Sequence, residues 1–227
     1  MSQLRWLLIA FALATALIVQ PTPARTTPAS QPISQLRVVH ALPGAPPVDV
    51  FVDGVRVLPG LAFGVVGPYL NLPAGPHELA VVPAGALAGS AMITSAWELA
   101  PGQPYTVLAV APSGLPPGAL VLEDTRFATL GGPAKLRFVH ASPDMPPVDV
   151  LLPGGTVLFS NVAFGQATPY VEVPPGTVTM EVRAAGTPNV VLTIPDAVIA
   201  TGTVYTFGAI GLMGGTPPLG TLPLVDS

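Results

Sequence analysis

The sequence predicts an all-β chain made of two antiparallel β-sandwich units in tandem, and three observations predict it. The first is an internal repeat: residues 36–50 read LRVVHALPGAPPVDV and residues 136–150 read LRFVHASPDMPPVDV, with 11 of 15 positions identical. The second is a succession of short runs rich in Val, Thr and aromatics, most starting 7–15 residues apart. The third is the punctuation, since 30 prolines and 24 glycines among 227 residues bound almost every run. Each unit is roughly 90 residues, too long for a solenoid repeat of ~20–50 and close to the ~100 of an Ig-like sandwich.

The elements follow in order. Residues 1–24 read as an export signal. Met1 and Arg5 form the positive start, Trp6 to Val19 is an uncharged apolar run of 14, and Thr22 and Ala24 are small residues ahead of a cleavage between Ala24 and Arg25. Fourteen helical residues span ~21 Å, short of the ~30 Å hydrocarbon core. A retained N-terminal anchor is therefore the weaker reading, and no membrane span is expected after cleavage. Residues 25–34 have no hydrophobic period and read as a flexible leader.

The first repeat is assigned to residues 35–125, with strands expected at 36–41, 48–52, 55–58, 69–72, 77–82, 92–99, 105–111 and 120–123. Asp53-Gly54 between two of these runs is a hairpin signal, because such turns need positive φ. Residues 84–96 are Ala-rich and ambiguous between helix and strand. A linker at 126–134 precedes the second repeat at 135–227. There Ala163-Phe164-Gly165 and Tyr170 answer Ala62-Phe63-Gly64 and Tyr69, with the offset grown from 100 to 101. The extra residue falls at Pro153-Gly154-Gly155, in a turn, where strand register is not disturbed. With one lysine between them, the two units must protect their edge strands with proline or by packing on each other, and the short linker favours a compact or edge-paired arrangement.

Composition excludes several classes. A net charge of −4 and a single lysine, Lys135, rule out a polybasic nucleic-acid binder. The absence of cysteine excludes disulfides, thiolate metal sites and thiol catalysis. A hydrophobic content of 50% with only 9% charged residues argues for a packed core despite the many breakers.

The motif V-H-A-S-P-D followed by P-P-V-D-V, and then A-F-G and a tyrosine, resembles domain-of-unknown-function family 4397. Two copies are recognised from about Leu36 to Ser227. The second keeps His140-Ala141-Ser142-Pro143-Asp144, whereas the first has Leu42 and Gly44 in place of the serine and aspartate. The resemblance implies exported bacterial or archaeal proteins with Ig-like units. It implies no established activity.

His40 and Asp49 recur as His140 and Asp149. If the proline-rich segment 41–48 were a hairpin loop, each histidine would face its aspartate. Such a pair could be a hydrogen-bonded clamp on a stiff turn, part of a metal site, or a catalytic pair. One His and one Asp per unit fall short of three or four metal ligands, and no nucleophile motif accompanies them. Arg37 and Arg137 stand among apolar residues and are expected to pair with a carboxylate such as Asp49 or Asp149. Phe63, Phe164, Tyr69 and Tyr170 read as core plugs or as sugar-stacking platforms. Trp97 has no aromatic counterpart in the second repeat and is the better candidate for an exposed ligand contact, with burial in the core as its other and favoured reading. Asp49, Asp53 and Asp144 lack calcium-loop spacing.

The sequence therefore points to an exported, non-catalytic binding or structural module, secreted or at the cell surface. No cofactor is expected, and the ligand would be a protein or polysaccharide. A carbohydrate-binding accessory module and a metal-dependent protein using the His–Asp pairs remain the alternatives.

Overall fold

The computed structural model describes residues 31–125 and 131–226. The expected export signal, its expected cleavage point between Ala24 and Arg25, and most of the expected leader lie outside those residues. So does the first half of the linker.

The first repeat forms eight strands: β1 (Ile33–His40), β2 (Val48–Val52), β3 (Val55–Leu61), β4 (Leu70–Pro73), β5 (Gly75–Pro83), β6 (Ile93–Leu99), β7 (Pro104–Val110) and β8 (Gly118–Glu123). The second repeats the series as β9 (Ala134–His140), β10 (Val148–Leu151), β11 (Val157–Val162), β12 (Val171–Val173), β13 (Gly176–Ala184), β14 (Val190–Ile199), β15 (Val204–Ile210) and β16 (Gly220–Val225). Strand β1 starts at Ile33, so it takes in the last two residues of the expected leader. The ambiguous Ala-rich stretch resolves into a single 3-10 turn, Ala88–Ser90, before β6.

Each repeat is a sandwich of two four-stranded sheets. In the first, β4-β1-β7-β8 is the inner sheet and β3-β2-β5-β6 the outer; in the second, β12-β9-β15-β16 and β11-β10-β13-β14 correspond. Pairing is antiparallel except where β1 runs parallel to β7 and β9 to β15. The Asp53-Gly54 turn has φ of 50° and 75°, the left-handed pair that a tight hairpin demands.

Alternation fixes which side chain goes where. Along β1, Leu36 and Val38 enter the first core with Val50, Leu79 and Val107. Along β9, Leu136 and Phe138 enter the second core with Val150, Met180 and Phe207. Residues one step out of phase face the other way. Val39, Leu108, Val110 and Leu122 form a third apolar cluster with Val139, Ile210, Leu222 and Leu224 of the second repeat. The inner sheets therefore meet face to face, each covering an apolar surface its partner would otherwise expose. Burying such a side chain stabilises by ~1.5–3 kcal/mol. Gly208 stands where the first repeat has Leu108, and a Cβ there would lie 2.7 Å from Val139 Cγ1.

Candidate functional site

The segment 41–48 carries the chain from the inner to the outer sheet and is not a hairpin loop. β1 pairs with β4 and β7, whereas β2 pairs with β3 and β5. His40 and Asp49 consequently do not face each other, and neither do His140 and Asp149. The His40 ring is fully buried; its Nε2–H donates to the Pro46 carbonyl at 3.0 Å, and its Nδ1 accepts the Leu42 N–H at 3.2 Å. These bonds specify a neutral imidazole, and burial pushes its pKa down against the pull of the Pro46 carbonyl. Phe63 meets it edge-on at 6.0 Å. His140 repeats the arrangement with Pro146 and Phe164, but its buried Nδ1 has no hydrogen-bond partner.

The aspartates stitch the outer sheet instead. Asp49 accepts N–H groups from Gly60 at 2.7 Å and Gly85 at 3.1 Å, with Arg56 at 3.3 Å. Asp149 accepts from Asn161 at 2.8 Å and Gly186 at 2.9 Å. Backbone donors hold both carboxyls below their ordinary pKa. Gly60 and Asn161 both have positive φ, next to irregularities in the β2–β3 and β10–β11 pairings. The aspartate satisfies the N–H that each irregularity frees from the ladder.

Arg37 and Arg137 do not reach Asp49 or Asp149, because they point from the inner sheets toward the opposite repeat. Arg37 Nη2 donates to Asp226, Nη1 to the Val225 carbonyl at 2.8 Å, and Nε to Thr106 Oγ1 at 2.7 Å. Arg137 mirrors this: Nη2 donates to Asp124, Nη1 to the Glu123 carbonyl at 2.7 Å, and Nε to Thr206 Oγ1 at 2.7 Å. Tyr69 and Tyr170 each lie 4.6 Å beneath one guanidinium and donate a phenol hydrogen bond, to Asp124 and Asp226 respectively. Burial raises both phenol pKa values. It also raises that of Asp226, an effect the nearby Asp124 reinforces and the arginines and Thr206 oppose. The two repeats are thus cross-braced by a reciprocal network about a pseudo-twofold axis.

Ser142 and Asp144, the residues the first repeat lacks, hold the β15–β16 loop. Ser142 Oγ donates to the Gly211 carbonyl at 2.8 Å, and Asp144 accepts the Met213 N–H at 2.8 Å and the Gly214 N–H at 3.2 Å. One pair went unnoticed in the sequence. His77 Nδ1 lies 2.6 Å from Asp53 Oδ2 and its Nε2 lies 2.8 Å from the Pro73 carbonyl, so a protonated ring satisfies both acceptors. Burial opposes that charge, yet the Pro73 and Asp53 acceptors outweigh it and the pKa rises. His77 stands on β5, the neighbour of β2, beside the Asp53-Gly54 turn that joins β2 to β3.

Trp97 is half-buried and packs on the first core, in keeping with the buried of its two readings. The inner-facing pattern of β6 requires this, since Leu99 and Ile93 on the same face are buried. Among the described residues every aromatic is buried or half-buried, which leaves no exposed sugar-stacking platform there. A groove of about 490 Å³ opens between the edge strands β14 and β16, lined among others by Ile194, Ala197, Val198, Tyr205, Phe207 and Val225. A smaller apolar cavity of about 220 Å³, including Leu152, Val178 and Met180, opens at the end of the same core.

Comparisons agree with the repeat. The profile of the family described as Domain of unknown function (DUF4397) matches residues 34–151 and 134–227, and the chain belongs to that family. No curated protein matches the chain. Among solved structures, a family CBM26 module of Eubacterium rectale Amy13K in complex with maltoheptaose is similar at 10% identity and a TM-score of 0.26, covering 83% of this chain and 95% of its own. A candidate cell adhesion protein from Bacteroides fragilis is similar at 11% identity and a TM-score of 0.21, covering 85% and 98%. Likenesses this distant carry no argument about ligand.

Proposed function

We propose that this member of the DUF4397 family is an exported, non-catalytic module whose two sandwiches form one rigid unit for binding or structural work outside the cytoplasm. The observation that carries the reading is where the shared polar side chains go. His40 and His140 hold proline loops, Asp49 and Asp149 hold sheet irregularities, and Arg37 and Arg137 cross-brace the repeats. Apart from the buried Nδ1 of His140, the polar ends of these side chains are engaged by backbone groups and by each other, which supports a structural role for them. The export reading rests on the apolar N-terminal run and on a surface with few charges.

The test is a thermal-melt scan of the protein against divalent metals, a chelator, cell-wall and plant polysaccharides, and extracellular peptides. The metal and chelator arms are repeated on the His40→Ala/His140→Ala double variant. The reading expects no metal or chelator response, a double variant that is only less stable, and any ligand shift to survive in it. A metal shift abolished in the double variant would overturn it.

A further inference from the structure

We infer that the loop end shared by the two sandwiches seats its exposed leucines in the interfacial layer of a zwitterionic lipid bilayer. The inference deepens the binding-module reading by naming its partner, and it rests on the export in that reading. In the first sandwich, segments 41–47, 62–66, 84–92 and 111–117 all lie at one end of the strands. Val48 pairs with Leu61 and Pro83 there, and His40 with Ala109. The Ala84 N–H donates to the Pro47 carbonyl, the Gly64 N–H to that of His40, and the Ala41 N–H to that of Ala109. The second sandwich points the same way. Arg37 and Arg137 share Asp124 at one level of the inner sheets, and Ala41 and Ala141 both belong to the third apolar cluster beyond it. A Cβ on Gly64 would lie 3.6 Å from Ile210 Cδ1, at the last residue of β15. The loops that follow β9 and β15 therefore open on the same end of the molecule.

That end is apolar and almost free of charge. Leu87 is 82% exposed and Leu115 64%, each in the middle of its loop, and Val65 and Met213 add exposed apolar side chains. Residues 41–47, 62–66, 84–92 and 111–117 include no charged side chain. In the loops after β9 and β15 the one charge is Asp144, whose carboxylate accepts the Met213 and Gly214 N–H groups. A protein partner is met through an apolar centre inside a polar rim. Here the residues on either side of both leucines are Gly, Ala, Pro and Ser. With no Lys or Arg in these loops the end has nothing to attract an anionic surface, and the net charge of −4 opposes one. The loop backbone is also suited to a poorly hydrated layer. The Leu115 N–H donates to the Pro112 carbonyl at 3.2 Å, the Ser90 N–H to that of Leu87 at 2.9 Å, and the Ala86 N–H to that of Pro83 at 2.9 Å. Pro112, Pro116 and Pro117 have no N–H to leave unpaired. A backbone satisfied within its own loop costs less to remove from water. The leucines can therefore enter the headgroup boundary while the sandwiches stay outside it.

The test is vesicle flotation of the chain from Arg25 onward, the form expected after export, which retains every strand and lacks the apolar run Trp6 to Val19. Phosphatidylcholine vesicles are the probe, with vesicles containing phosphatidylserine in parallel. The expected result is saturable binding to phosphatidylcholine that phosphatidylserine does not strengthen. Leu87→Ser/Leu115→Ser should weaken it by at least about tenfold. Val55→Ser, at a residue 65% exposed beside the β2–β3 turn at the opposite end, should leave it unchanged. The chain has no cysteine, so Leu115→Cys and Val55→Cys each offer one site for a polarity-sensitive dye. Emission should shift to the blue with vesicles for the Leu115 variant and stay fixed for the Val55 variant. No binding to phosphatidylcholine, binding only to phosphatidylserine, or binding indifferent to the double serine variant would overturn the proposal. Equal dye shifts at both ends would overturn it too, and so would vesicles that leave the Leu115 dye unchanged, which would return that end to a protein partner. None of these failures touches the non-catalytic reading, which the double histidine variant tests separately.

Discussion

The two repeats share a backbone plan and differ in how each is finished. In the first, Trp97 packs against the core at the flank, and His77, bonded to Asp53 and Pro73, stands on the inward face of β5. In the second, Ala197 and Val178 occupy those places, and two cavities open there. The second repeat in turn has Ser142 and Asp144 fastening its β15–β16 loop, where the first has Leu42 and Gly44. What the repeats keep in common is the cross-brace and the loop clamps. Both repeats keep the side chains that cross-brace and clamp the unit, while flanks, loops and some packing positions, such as Leu108 and Gly208, differ.

The cross-brace offers the largest effect. Arg37→Ala and Arg137→Ala should each destabilise by about 3–5 kcal/mol, because each strands a buried carboxylate at the repeat interface. Urea denaturation of both variants measures this; a loss confined to one arginine would break the symmetry of the comparison.

The histidine clamps should differ. His40 has partners on both ring nitrogens, whereas His140 buries an unpaired Nδ1. An unsatisfied buried acceptor costs ~1–3 kcal/mol, so His40→Ala should be the more damaging substitution by about 1 kcal/mol or more. Equal losses in parallel denaturation curves would contradict that difference.

The smallest effect belongs to His77. Its folded pKa lies above the ordinary value of about 6.5, so its stabilisation is complete below that pH. It is lost as pH rises through the folded pKa. The paired Asp53 is half-exposed, so solvent screening limits the effect to under about 1 kcal/mol. Melting temperature against pH should show a shallow fall that disappears in His77→Gln, and an unchanged profile in that variant would remove the pair from the account.

Strands, repeat and the Asp-Gly turn were legible in the sequence because each is set by local period and by φ. The His–Asp pairing was not. Two residues flanking a proline-rich segment face each other only if that segment is a hairpin, and here it crosses between sheets. The partners of Arg37 and Arg137 were equally hidden, since Asp226 and Asp124 lie 189 and 13 residues away in sequence. They are brought close only when the inner sheets pack. Trp97 was recognisable as unmatched, but its inward direction came from the phase of β6.

The central claim is that the cross-brace and shared apolar face make the two sandwiches one cooperative body, and scanning calorimetry tests it most directly. The wild type should unfold in a single transition with a calorimetric to van't Hoff enthalpy ratio of about 1, separating into two transitions in the Arg37→Ala/Arg137→Ala double variant. Two resolved transitions in the wild type would contradict the claim and return the repeats to independent units.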